Sequence, residues 1–378
     1  MLKLSNFEMI RPIHETDQQT LLEWFVAAHA QAESKKEIKD PLFTEEAFKE
    51  KLLRVGCKPD RIAKRGHTVP DYLHKEWEKM EIYNLKAHPS GYDLSVRSCH
   101  FAKQIDRVFE EYYPKEATAP NDLIHVSCTG YLSPSGAQKI ASKRNWGHQT
   151  TITHAYHMGC YGSIPAIRMA GGFLAYDTDK TRADIVHTEL CSIHTDPANH
   201  SLGALVAQSL FADGFIKYSA SKQTQEPHFR VVAIQEEIIP HSIEAMTWDV
   251  AHWGFEIFLS KEVPVFITRA LLPFLERLSK RAGMDKERLL KSAHFAIHPG
   301  GPKILLQVQK TLELLDAQMQ ESFTILKQYG NMSSATLPHI WKALLEDRNV
   351  PHENLVVSLA FGPGLSITGS IMEKICGS

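Results

Sequence analysis

Three side chains suited to thioester chemistry lie far apart in this chain. Cys160 stands in segment 155–162, His298 opens the string His-Pro-Gly-Gly-Pro-Lys-Ile-Leu, and Asn331 follows Gly330. A cysteine at the start of a helix can be held as a thiolate, which is a strong nucleophile. A histidine and an asparagine can bind the oxygen that becomes negative when a thioester is attacked. The set is typical of carbon–carbon bond formation on acyl thioesters.

The local sequence indicates how each of these side chains is presented. Gly159 and Gly162 flank Cys160 and permit close backbone approach, and the helix predicted to follow has a positive end that favours a thiolate. His298 ends a predicted strand and meets a Pro-Gly-Gly turn, which places its imidazole at a sheet edge. A hydrogen-bonded structural role for His298 and an ordinary helix cap for Asn331 are the alternatives.

The elements that must position these residues form a mixed α/β pattern. The first hundred residues are predicted to be mostly helix and loop, with Thr44 capping a helix that continues over 47–55. The polar run 219–227 is the best internal boundary, so we predict two α/β halves, 1–222 with Cys160 and 223–378 with His298 and Asn331. Strands are predicted at 123–128, 183–192, 214–218, 229–236, 255–259, 293–297, 355–360 and 366–370, and helices at 201–211, 265–281 and 303–315.

Composition excludes several classes of function. The 378 residues are 43% hydrophobic with a formal charge of −2, which suits a large core and argues against nucleic-acid binding as the main task. We see no signal peptide and no apolar run as long as a membrane span, so we expect a cytoplasmic protein. The six cysteines show no CxxC pairing, which indicates reduced thiols.

Five strings together carry a family resemblance. They are Gly-Cys at 159–160, Leu-Phe-Ala-Asp-Gly at 210–214, His-Pro-Gly-Gly-Pro-Lys-Ile-Leu at 298–305, Gly-Asn-Met-Ser-Ser-Ala at 330–335 and Phe-Gly-Pro-Gly-Leu at 361–365. Their order and separations resemble the type III polyketide synthases of the chalcone synthase superfamily, and the region 246–264 looks closer to bacterial members. The resemblance implies a thiolase-type αβαβα layered fold of two similar halves and a homodimer. It implies no metal and no cofactor beyond the coenzyme A of the acyl-CoA and malonyl-CoA substrates.

The resemblance also implies catalytic roles. Cys160 takes the starter acyl group from an acyl-CoA, and His298 with Asn331 stabilises the enolate formed when malonyl-CoA loses carbon dioxide. The enolate then attacks the acyl-Cys160 thioester, and further extension precedes cyclisation to a pyrone or a resorcinol- or phloroglucinol-type product. We also expect a thiolate–imidazolium ion pair between Cys160 and His298 in the free enzyme.

Other positions shape the predicted reaction chamber. Phe211 occupies the family's gatekeeper position, and the second gatekeeper aligns with Ile257, for which Phe255 on the same strand face is the substitute. Segment 189–194 aligns with a strand that lines the chamber, which places Cys191 and His194 at its wall.

Two further family positions carry small residues. Cys128 replaces a cavity threonine, and Ser133 replaces a methionine that in plant members reaches into the partner's active site. Small residues at 128, 133 and 191 favour a long acyl starter.

One basic face is predicted to bind coenzyme A. Lys51, Arg54 and Lys58 stand at i, i+3 and i+7, which is one face of a helix, and they match the family's phosphate-binding residues. A solvated basic face is the alternative interpretation.

Three other functions compete with this interpretation. An initiation-type ketoacyl-carrier-protein synthase also uses Cys, His and Asn, but usually has Gln-Ala-Asn after its catalytic His, where this chain has Pro-Gly-Gly-Pro. Metal-dependent hydrolysis would need His154, His157 and Cys160 around a zinc ion, which Gly159 makes difficult on a regular helix. A catalytically silent acyl-CoA-binding protein is the third.

Overall fold

A computed structural model describes residues 1–377 as a mixed α/β protein. The strands are β1 Lys3–Ile10, β2 His14–Asp17, β3 Lys64–His67, β4 Asp122–Ser127, β5 Thr151–Tyr156, β6 Arg182–Glu189, β7 Gly214–Ser221, β8 His228–Ile238, β9 Met246–Val250, β10 Phe255–Leu259, β11 His294–Ile297, β12 Leu355–Gly362 and β13 Ser366–Ile375. The helices are α1 Gln18–Lys35, α2 Glu45–Val55, α3 Leu94–Tyr112, α4 Gly136–Lys143, α5 Ser163–Tyr176, α6 Leu202–Leu210, α7 Val263–Arg281, α8 Lys286–Ser292, α9 Pro302–Leu312, α10 Asp316–Tyr329 and α11 Thr336–Glu346.

Nine strands form one continuous ladder in the order β11-β12-β13-β8-β1-β7-β6-β4-β5. The strands of the first predicted half lie on one side and those of the second half on the other, and β1 pairs with both β7 and β8. The predicted boundary at 222/223 falls in the connection between β7 and β8. It remains a prediction, because strand pairing continues across it.

Three separate hydrophobic cores define the layers. Helices α1, α3 and α4 cover one face of the first half, α5 and α11 lie between the halves, and α7 to α10 cover the outer face of the second half. Neighbouring strand residues alternate between cores, since Val186 faces the outer core and Ile185 the central one, as the two-residue period of a strand requires. The predicted αβαβα layering is confirmed.

The prediction for the first hundred residues was wrong at β1. This strand lies in the middle of the ladder, but its register shifts between Ser5 and Glu8, and Asn6 adopts a positive φ of 55°. A bulge of this kind breaks the alternation of polar and apolar residues that identifies a strand in sequence.

Two other local predictions need correction. Strand β6 ends at Glu189, and Cys191–Ile193 forms a 3₁₀ turn, so the segment with Cys191 and His194 is not a strand. Helix α2 ends at Val55 because Gly56 adopts an extended conformation, so Lys58 lies beyond the helix.

Candidate active site

Seven of the predicted site residues line one cavity, whose wall includes the segments that follow β4, β6 and β12. Its empty volume is about 820 Å³ including the open mouth. The seven are Cys128, Cys160, Cys191, His194, Phe211, Phe255 and Ile257. The fold therefore brings together predicted site residues that lie up to 129 positions apart in the sequence, from 128 to 257.

Cys160 is presented by a tight turn between β5 and α5. Gly159 has a φ of 77°, and a Cβ there would come 2.5 Å from Cδ of Pro363, so only glycine fits. Cys160 follows in the 3₁₀ turn Gly159–Tyr161, three residues before α5 begins. The predicted helix start is confirmed, with this turn inserted before the helix.

Burial favours the protonated form of the Cys160 thiol. Its Sγ lies 3.6 Å from Oγ of Ser333, and burial raises the pKa of the thiol to about 12. The side chain keeps one face toward the cavity, although protein atoms enclose it elsewhere. Deprotonation must therefore be coupled to the reaction or to a change of environment.

His298 stands just beyond β11, as predicted. Its backbone N–H donates to Leu359 O at 2.8 Å, which fixes it against β12. The end of β12 in turn packs on the cysteine turn, since a side chain at Gly362 would overlap the Tyr161 ring. His298 is thus connected to the Cys160 turn through β12.

The His298 ring is neutral and unpaired. It is 1% exposed, and neither ring nitrogen has a hydrogen-bond partner within residues 1–377. Burial lowers its pKa to about 3. Neither ring nitrogen is hydrogen-bonded to Cys160 Sγ, so the expected ion pair is not seen in this geometry, and burial disfavours the charged form of each group. The ring lies outside the cavity wall, and its two unpaired nitrogens do not fit the alternative of a hydrogen-bonded structural histidine.

Asn331 is tied to the gatekeeper position by backbone hydrogen bonds. Its N–H donates to Leu210 O at 2.9 Å, and its carbonyl accepts from Ala212 N at 2.8 Å, which brackets Phe211 between them. The side-chain Oδ1 accepts from Ser333 N at 2.9 Å, which caps the 3₁₀ turn Ser333–Ala335. The capping alternative is thus correct for Oδ1, while Nδ2 makes no hydrogen bond to the described residues.

A buried polar network that sequence reasoning missed lies behind the two thiols. Cys128 Sγ is 2.8 Å from Ser333 Oγ and 3.4 Å from Glu189 Oε2, and Ser334 also bonds to Glu189. Burial raises the pKa of Glu189 to about 7, and burial raises that of the Cys128 thiol well above its usual value. The available sequence signal for Glu189 was a carboxylate near the end of a predicted strand.

The cavity wall includes an aromatic surface formed by the β9–β10 hairpin. Phe255 and Ile257 line it as predicted, and Trp248 and Trp253 line it without having been predicted. Trp248 Nε1 donates to Cys128 O at 2.6 Å, which fixes the hairpin against the strand end at Cys128. The two tryptophans reach the cavity through long-range packing of the hairpin, which sequence spacing does not reveal.

His194 stabilises this wall and has no free ring nitrogen. Nε2 donates to Thr129 O at 2.8 Å, and Nδ1 accepts from Phe255 N at 3.0 Å. The ring stacks on Phe255 with centroids 4.5 Å apart, and burial lowers its pKa to about 3. His194 therefore contributes mainly the apolar face of its ring to the cavity wall.

The predicted coenzyme A face is only partly helical. Arg54 is exposed on α2, and Lys51 is half-buried because its Nζ donates to His200 O at 2.7 Å. Lys58 is exposed in the turn that follows the helix. The i, i+7 relation thus fails for Lys58, although all three residues stay within the same short segment.

Ser133 and the zinc alternative do not fit this cavity. Ser133 is exposed and absent from the wall, so within one chain it cannot widen the chamber. His154 bonds to Ser135 Oγ and His157 to Trp248 O, and His154 lies on β5 rather than on a helix with Cys160. Across residues 1–377 no cluster of three or more His, Cys, Asp or Glu is placed to hold a metal.

Comparison with known proteins shows which family this chain resembles. The model for the C-terminal domain of chalcone and stilbene synthases matches residues 230–376. The chain is thus similar to the type III polyketide synthases, with its C-terminal part matching their family model. These homologues are condensing enzymes of the acyltransferase type, which supports an enzymatic role for this chain.

Relatives agree with this assignment at low identity. The chain is 27% identical over 261 residues to "Probable polyketide synthase 1" of Dictyostelium discoideum, covering 67% of this chain and 8% of that much longer protein. It is 28% identical over 256 residues to the 1,3,6,8-tetrahydroxynaphthalene synthase of Streptomyces coelicolor, covering 68% of this chain and 67% of that protein.

A solved structure matches the whole fold. The C-terminal type III polyketide synthase domain of Steely1, a type I/III hybrid from Dictyostelium, superposes with a TM-score of 0.83 at 20% identity over 99% of each chain. This match shows that the layered fold is the thiolase type found in this family. None of the helices within the described residues is long and apolar enough to cross a membrane.

Proposed function

We propose that this polyketide synthase condenses an acyl-CoA starter with malonyl-CoA by decarboxylative Claisen chemistry and cyclises the product to a pyrone or a resorcinol- or phloroglucinol-type ring. One observation carries the proposal. The Cys160 thiol lines a largely apolar cavity, and Ser333 connects it to Asn331, because Ser333 Oγ lies 3.6 Å from Cys160 Sγ and the Ser333 N–H donates to Asn331 Oδ1.

The first step transfers the starter to Cys160. The thiol attacks the thioester carbonyl as His298 accepts its proton, and the carbonyl oxygen becomes an oxyanion. Collapse of this intermediate expels coenzyme A, which takes the proton from His298, and leaves acyl-Cys160. Burial lowers the pKa of His298 to about 3, which makes the imidazole a weak base, so we propose that it accepts the proton only once bound substrate has changed its surroundings.

The second step forms the carbon–carbon bond. Malonyl-CoA binds with its thioester oxygen near the side chains of His298 and Asn331, and the carboxylate leaves as carbon dioxide. The electron pair forms an enolate whose oxygen these donors stabilise, and the enolate carbon attacks the acyl-Cys160 carbonyl. The Cys160 thiolate leaves and is free for another round.

We propose a long acyl starter for this site. The cavity wall combines small side chains at Cys191, Ala204 and Ala207 with the aromatic rings of Trp253 and Phe255. A wall of small and aromatic side chains suits an extended alkyl chain. The argument rests on Cys128 and Cys191, since Ser133 lies outside the cavity.

The remaining parts of the proposal come from the family resemblance. Lys51, Arg54 and Lys58 bind the coenzyme A phosphates, and Phe211 with Ile257 or Phe255 separates the tunnel from the chamber. The enzyme works as a cytoplasmic homodimer, in which Ser133 approaches the partner's site. It uses no metal and no cofactor besides the coenzyme A of its substrates.

The test is incubation with malonyl-CoA and a ladder of acyl-CoAs from acetyl to palmitoyl, with mass detection of products. We expect products extended by at least two malonyl-derived units, with the highest kcat/KM for a long starter. Acyl-CoA binding without turnover would instead support a silent binding protein. Activity only with a carrier-protein malonyl thioester would support a ketoacyl-carrier-protein synthase.

A further inference from the structure

Arg65 is a buried cation at the cavity that the proposed chemistry does not use. It projects from β3, is 3% exposed and lines the cavity. Burial lowers its pKa to about 10, so it is still charged at neutral pH. It makes no salt bridge to an acidic side chain of residues 1–377, and its Nη2 makes no hydrogen bond there.

The Arg65 fork holds the end of α6 in place. Nη1 donates to Gln208 O and Phe211 O, both at 2.7 Å, and Nε donates to Gln18 Oε1 at 2.8 Å. The last carbonyls of a helix carry partial negative charge, which compensates the buried cation in place of a carboxylate. The carbonyl of the proposed gatekeeper is therefore held directly by this guanidinium.

The same side chain packs against the turn that carries Asn331. A Cβ at Gly330 would lie 3.0 Å from Arg65 Cγ, so the arginine stem fills the space under this turn. The Asn331 N–H donates to Leu210 O, which belongs to the helix end that Arg65 holds. Arg65 thus contacts both sides of the junction between Phe211 and Asn331.

Resting on the proposed function, we infer that Arg65 is a positioning residue that fixes the Asn331 amide and the Phe211 ring relative to the thioester. It acts through the backbone of the α6 end and through the Gly330 turn, and it does not touch the reacting atoms. A displacement of about 1 Å in a catalytic donor can lower a rate as much as 10²-fold. Loss of the fork should thus reduce turnover more than binding.

The test compares Arg65→Lys with the wild type in starter-free decarboxylation of malonyl-CoA. A lysine can reach one of the two carbonyls but cannot hold both in a fork. We expect kcat to fall between about 10- and 100-fold with KM changed less than threefold. In the Asn331→Ala background the same change should have no further effect on kcat, because the donor to be positioned is gone.

Arg144→Lys is the matched control. Arg144 also donates twice to a backbone carbonyl, Tyr113 O, but far from the cavity, and its variant should keep the wild-type kcat. If Arg65→Lys does not fold, Gln18→Met is the second variant: it frees Arg65 Nε while keeping the guanidinium, and it also removes the Gln18 Nε2 bonds to Cys57 O and to Ser209 O in α6, so it loosens the same helix end.

The outcomes separate the two proposals. Wild-type kcat in Arg65→Lys, or equal losses in the presence and absence of Asn331, would overturn the positioning role alone. A wild-type enzyme that releases no carbon dioxide from malonyl-CoA would refute the proposed function, and the inference with it.

Discussion

Replacing Asn331 separates its proposed catalytic donor from its structural role. In the structure Oδ1 caps the Ser333 N–H at 2.9 Å, while Nδ2 remains available to a ligand. Asn331→Ser keeps an oxygen able to cap that N–H, but its hydroxyl does not reach as far as the amide. Asn331→Ala removes both functions.

The expected effects follow from these two contacts. Loss of one preorganised donor to an oxyanion lowers a rate about 10²–10³-fold, or ~3–4 kcal/mol of transition-state stabilisation. Both variants should show this loss in malonyl-CoA decarboxylation without a starter. Only Asn331→Ala should also lose stability, about 1 kcal/mol, because it alone loses the cap.

The assay is release of acetyl-CoA from malonyl-CoA, followed by mass detection, with thermal unfolding of each variant. Asn349→Ala is the control, because Asn349 is exposed and bonds only within its own turn. Decarboxylation within threefold of the wild type in both Asn331 variants would refute the donor role. Loss of rate in Asn331→Ala alone would show that the cap matters and the donor does not.

Three further predictions concern binding, chamber shape and ionisation. Arg54→Gln should raise KM for acyl-CoA about fivefold, which corresponds to ~1 kcal/mol from one exposed charge pair. KM for thioester mimics that lack the nucleotide should not change, and equal increases with both substrates would contradict this prediction. Folded Cys191→Trp should exclude long starters first and keep acetyl-CoA turnover, because a closely packed cavity wall cannot absorb the added volume. Cys99→Trp, on the exposed face of α3, is the control and should keep the wild-type starter preference. An unchanged preference in Cys191→Trp would show that Cys191 does not line the part of the cavity that limits chain length. The rate of Cys160 alkylation in the free enzyme should rise about tenfold per pH unit from pH 7 to 9, because the thiolate fraction grows as the pH approaches the raised pKa. A rate that stays constant across this range would indicate the thiolate–imidazolium pair.

Local signals in the sequence predicted the presentation of the catalytic residues well. His298 stands where an apolar run meets Pro-Gly-Gly, and Cys160 stands between glycines before a helix, and both positions are confirmed. These predictions succeeded because strand ends, glycine turns and helix starts depend on a few neighbouring residues.

Features created by long-range packing were beyond the sequence. The bulge in β1 hid a central strand, and Trp248 reaches the cavity only because β9 and β10 pair and pack against the end of β4. In the sequence Arg65 is an ordinary charged residue, and its role becomes visible only from its contacts with the end of α6 and with the Gly330 turn. The neutral states of Cys160 and His298 likewise follow from burial, which no spacing encodes.

The most direct test of the central claim is intact-mass analysis with peptide mapping of the enzyme after mixing with an acyl-CoA. We predict one acyl adduct on Cys160, which disappears when malonyl-CoA is added and is replaced by free extended product. Cys160→Ala should form no adduct, while Cys57→Ala should behave as the wild type. A stable adduct on another cysteine, or product formation by Cys160→Ala, would contradict the account.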